Sequence, residues 1–76
     1  MAAVESILAL SQRLQRHAKR GGGSELAVDL RLAAVHLRRY AAVLIREEAK
    51  AERDPARRKS LLLEALSTWR DARRHG

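Results

Sequence analysis

Seventy-six residues carry 16 Lys and Arg against 9 Asp and Glu, a formal net charge of +7; a chain this short holds one domain, near the lower limit of what folds on a hydrophobic core alone. Apolar residues make up 46% of it, yet Trp69 and Tyr40 are its only aromatics, so the core must be Leu, Val, Ile and Ala, a set that packs better between helices than in small β folds. Cysteine is absent, which excludes a disulfide framework and a thiolate metal site and fits a cytoplasmic setting.

The first predicted helix covers about residues 2–20. Val4, Ile7, Leu8, Leu14 and Ala18 recur at helical spacing, with Leu10 at the edge of the same face. Gln12, Arg13, Arg16, Lys19 and Arg20 fall opposite, crowding the C-terminal end where cations complement the helix dipole. Gly21-Gly22-Gly23 stops the helix. The Gly-Gly-Gly-Ser run has the composition of a flexible linker. It reads better as a natural turn, because the first helix supplies an apolar stripe that the second needs.

Ser24 suits an N-cap, with Glu25 in the first turn, and the second helix is predicted over about residues 24–53. At about 100° per residue its apolar side chains form two stripes. The stronger is Leu26, Leu30, Ala33, Leu37, Ala41, Leu44 and Ile45; nearly opposite lie Val28, Leu32, Val35, Ala42 and Val43, with Arg39 intruding. Such a helix either sits centrally among others or offers one face to a partner. Asp54-Pro55 then marks a sharp boundary, since Asp caps and Pro suits the first helical position. The third helix is predicted over about residues 55–74, with Leu61, Leu62, Ala65, Leu66, Trp69 and Ala72 on one face and Leu63 near Arg70 on another. Connections this short predict an all-α, antiparallel up-down-up three-helix bundle with a long central helix, forming a single domain over residues 1–76.

Little in the chain suggests catalysis. His17, His36 and His75 are never three or four residues apart, and no metal-binding His-Glu-x-x-His motif occurs, so no metal or other cofactor is expected. Glu47 and Glu48 diverge on a helix, unsuited to paired acid–base work. No nucleophile–His–acid set is discernible, and the glycine turn lacks the Lys and spacing of a phosphate loop. A non-catalytic binding role is expected. Met1 to Glu5 lacks the basic start of a secretory signal, and the longest apolar run, Ala41 to Ile45, is far short of the ~20 residues that span a membrane.

The order Gly22, Ala27, Val28, Leu30, Ala34, Val35, Leu37 reads Gly-x4-Ala-Val-x-Leu-x3-Ala-Val-x-Leu. It resembles the second helix of MIT (microtubule-interacting and trafficking) domains, in which a glycine turn precedes a run of small and apolar residues. The turn Glu52-Arg53-Asp54-Pro55 and the stretch from Arg57-Arg58-Lys59 through Leu61 to Ala72 are similar to the family's third helix. Leu26, Arg31 and Leu32 depart from the family's Glu, Tyr and polar positions, and Arg70 stands where the family carries a peptide-binding Asp. The resemblance implies a module at the periphery of endosomal membranes that binds a short helical segment of an ESCRT-III-type partner between the second and third helices. The residues assigned to that contact are Val28, Leu32, Val35, Arg39, Val43, Leu63 and Arg70. Among them, Val35 is expected to tolerate Asp without loss of the fold.

Two alternatives accompany this reading. Arg13, Arg16, Lys19, Arg20, Arg73 and Arg74 could contact the phosphates of nucleic acid or of an acidic membrane. No recognition helix or aromatic stacking platform supports sequence-specific binding. The side chains assigned to the partner contact could instead simply complete the bundle core, in which case Val35→Asp would cost the fold, or close a homodimer seam.

Overall fold

The chain was described in a computed structural model, for the backbone of residues 2–75 and the side chains of residues 2–72. It forms three helices and, among these residues, no strand: α1 (Ala2–Gly21), α2 (Glu25–Ala51) and α3 (Pro55–His75). The longest is α2, with 27 residues against 20 and 21.

Local chemistry sets each boundary. Gly22, at φ 66°, is the single described residue in the left-handed region, and it turns the chain out of α1. Gly21 packs closely on α2: a Cβ there would lie 3.2 Å from the Cβ of Ala27, a tight contact. Ser24 is extended and its Oγ accepts a hydrogen bond from the Ala27 amide at 3.1 Å, the N-cap expected from the sequence. Arg31 reaches back to donate to the Gly22 carbonyl at 3.0 Å, fastening the turn.

At its other end α2 stops at Ala51, two residues before the expected end, because Glu52 is already extended at φ −78°, ψ 127°. The Glu52 carbonyl accepts two bonds from the Arg58 guanidinium, at 2.9 and 2.7 Å. Its carboxylate pairs with Arg57 at 3.1 Å, and Asp54 Oδ1 accepts from the Ala56 amide at 3.3 Å to cap α3.

The helices meet along rows of small residues spaced seven apart. Every buried residue except Ile45 belongs to one of four such rows: Val4, Ser11 and Ala18 on α1; Ala27, Ala34 and Ala41, then Val35, Ala42 and Ala49, on α2; Ala65 and Ala72 on α3. A seven-residue repeat keeps a row on one side of a helix, and small side chains let the axes approach closely. The first α2 row faces α1. Ser11 Oγ donates to the Ala34 carbonyl at 2.9 Å, Val4 and Ala41 share one apolar cluster, and Gly21 approaches Ala27. The second row faces α3, where Ala42 and Ala65 line a common depression. Among the described residues, α2 packs on both neighbours, whereas α1 and α3 make no close backbone approach to each other.

This arrangement differs from the expected division of faces. Leu26, placed in the stronger stripe, is 67% exposed, while Val35, placed on the partner face, is 7% exposed and lies in the same buried row as Ala42 and Ala49. Leu62, Leu66 and Trp69 of the expected α3 core face are exposed as well, and Ser11, which no apolar stripe included, is fully buried. Close packing on alanine leaves no room between the backbones for leucine. The large side chains are therefore displaced to the flanks of each seam.

Candidate functional site

The displaced apolar groups converge between α2 and α3. Ala42, Val43 and Arg46 from α2, with Leu62, Ala65, Leu66 and Trp69 from α3, line an open depression of about 360 Å³. Ala42 and Ala65 form its floor because they are the seam itself. Val43, Leu62, Leu66 and Trp69 form its walls, each more than a third exposed. At the Trp69 end, the Arg39 guanidinium stacks over the indole, 5.2 Å from the ring centroid, a cation–π arrangement. The buried Nε of Arg39 has no hydrogen-bond partner.

Two smaller depressions adjoin the same helices. One is lined by Val28, Arg31, Leu32 and Val35 on α2. The other is lined by Leu63, Leu66, Ser67, Arg70 and Asp71 on α3. The seven residues assigned from the sequence are thus spread over three depressions rather than one groove. Val43 lies in the largest and Arg39 stacks at its Trp69 end. Val28, Leu32 and Val35 line the second; Leu63 and Arg70 line the third. Val35 contributes mainly to packing, so an Asp there tests the fold before it tests binding. Leu62, Leu66 and Trp69 share the apolar face of the third helix expected from the sequence and are not among the residues assigned to the site. Their signal was Ala65 and Ala72, seven apart, which claim the buried side of α3.

The basic residues lie elsewhere. Arg13, Arg16, Lys19 and Arg20 are exposed on α1 and make no ion pair with any described residue. The side chains of Arg73 and Arg74 lie outside the described residues. No group of His, Asp and Glu among the described residues could hold a metal ion, and no described helix is long and apolar enough to cross a membrane. No protein-family profile, curated protein or solved structure matches the chain.

Proposed function

We propose that this chain is a non-catalytic protein-interaction module that takes a short amphipathic helix of a partner protein into the groove between α2 and α3. The register of the seams supports an antiparallel up-down-up arrangement with α2 in the middle. Residue numbers fall along α1 as they rise along α2, from Gly21 close to Ala27, through the Ser11–Ala34 hydrogen bond, to Val4 and Ala41 in one apolar cluster. The MIT-like pattern of α2 and α3 favours the same groove and, with it, an ESCRT-III-type partner at endosomal membranes.

The observation that carries the proposal is the set of large apolar side chains left exposed around the α2–α3 seam, Val43, Leu62, Leu66 and Trp69. The accessible surface is 5512 Å², against about 4,700 Å² for a compact monomer of 8.5 kDa. The difference, about 800 Å² of polar and apolar surface together, goes with an elongated shape. The extents of 46 × 21 × 12 Å describe a flat molecule. Its radius of gyration of 13.9 Å exceeds the roughly 11 Å of a compact chain of this length. Most of the exposed large apolar side chains lie on α2 and α3, around the groove and the two depressions beside it. A helix laid there follows helix-in-groove recognition, its apolar positions three and four residues apart.

Calorimetric titration of a panel of helical peptides against the chain and its Leu66→Asp variant tests the proposal. Micromolar binding lost in the variant, with helicity by circular dichroism unchanged, is the expected result. Binding that survives Leu66→Asp places the contact elsewhere.

A further inference from the structure

The charge around the groove specifies its occupant more narrowly. We infer that the helix seated between α2 and α3 carries an acidic flank, and that the Arg39–Trp69 stack, with Arg46, reads its carboxylates. This inference rests on the groove being the docking site.

Three observations support it. No acidic residue lines the groove, whereas Arg46 does and Arg39 stands over the Trp69 ring at its end. Neither arginine forms an ion pair with a described residue, and the nearby Glu47 is engaged by Lys50 at 3.1 Å. Arg39 makes no hydrogen bond to a described residue, and of its guanidinium nitrogens only Nε is buried. The terminal nitrogens of a guanidinium offer donors in a planar fork that matches a carboxylate, so an incoming Glu or Asp can pair with them. Stacking on Trp69 fixes the Arg39 side chain beforehand, which lowers the ordering cost of that contact. From Leu62 to Trp69 the groove follows two turns of α3, about 10 Å, so an occupant of three to four turns covers it.

A second copy of the chain fits this face poorly. In a two-fold dimer the same patch meets itself, bringing Arg39 and Arg46 from both copies into one apolar contact. Like charges in that setting oppose association. The net charge of +7 on each copy adds to the repulsion.

Four helix-stabilised 14-residue peptides serve as probes. Three share one leucine face and differ in flanking positions, which are all Glu, all Gln or all Lys. The fourth is the Glu peptide with its leucine spacing scrambled. The Glu peptide is expected to bind about tenfold or more tighter than the Gln peptide, the gain of one or two charge-assisted hydrogen bonds, and the Lys and scrambled peptides weakest. Arg39→Glu/Arg46→Glu should reverse the order of the Glu and Lys peptides. Arg13→Glu/Arg16→Glu/Arg20→Glu on α1 should leave it unchanged, with circular dichroism confirming that both variants are folded. Glu, Gln and Lys peptides binding alike overturn the acidic occupant while leaving the groove intact. A preference that disappears with the α1 variant also overturns it, by moving the charge recognition to α1. Scrambled and patterned Glu peptides binding alike, or no peptide binding, overturn the groove reading itself. A dimer by light scattering that leaves the groove closed to all four does the same in favour of a second copy.

Discussion

The hydroxyl of Ser11, fully buried on α1, donates to the carbonyl of Ala34 on α2 at 2.9 Å and accepts from Arg38 Nε at 3.2 Å. It occupies the middle of a row whose other members are Val4 and Ala18, so a polar side chain stands where a coiled seam would ordinarily carry an apolar one. Arg38 is held further by Gln15 at 3.3 Å. This crosslink fixes the register of α1 on α2. Ser11→Ala should lower stability in urea denaturation by about 1 kcal/mol. Ser11→Leu should cost more, about 1–3 kcal/mol, by forcing the helices apart.

The alanine seams reverse the usual ranking of leucine and alanine. Ala34→Leu adds volume where two backbones approach and should cost about 1–3 kcal/mol. Leu26→Ala removes a side chain that is two-thirds exposed and should change stability by no more than about 0.5 kcal/mol. Equal losses in the two variants would show that the leucines, and not the alanines, hold α1 on α2.

The glycine turn has one position where glycine is required for conformation. Gly22 sits at φ 66°, so Gly22→Ala should destabilise by about 1 kcal/mol or slightly more. A Cβ at Gly23 meets nothing within 4 Å, and its φ is not in the left-handed region. Gly23→Ala should therefore stabilise by about 0.4–1 kcal/mol, through the unfolded chain. Thermal melts of the two variants separate a built turn from a loose tether, for which both substitutions would be silent.

Val35→Asp puts a carboxylate at a position that is 7% exposed in the parent chain, in place of an apolar side chain. In a chain whose core is mostly alanine, with total stability near the low end of about 5–15 kcal/mol, that burial should unfold the protein. Circular dichroism at 25 °C reads the outcome directly. A folded Val35→Asp variant would return Val35 to the partner-facing surface.

The helices, their caps and the number of connections were legible in the sequence because Ser24, Asp54-Pro55 and the glycines act locally. The division of faces was not. Hydrophobicity ranks Leu above Ala, so the apolar stripes of the sequence include Leu26, Leu62 and Leu66 and omit Ser11. The decisive signal was spacing rather than hydrophobicity: Ala27, Ala34 and Ala41, and Val35, Ala42 and Ala49, each recur at seven. Small residues win the seams because the gain from close backbone approach is a tertiary effect that single side chains do not reveal. The groove inherits this difficulty, since Trp69 and Leu66 belong to it only because Ala65 and Ala72 claim the buried side of α3.

Trp69 is the single tryptophan of the chain and lies 41% exposed in the groove wall, so its fluorescence reports occupancy without a label. Titration with the patterned acidic helix should produce a saturable blue shift as the indole leaves water, and Leu66→Asp should abolish that shift while Trp69 emission in the free variant stays near that of the parent chain. No spectral change at saturating peptide, or a shift that persists in Leu66→Asp, would contradict a docking site between α2 and α3.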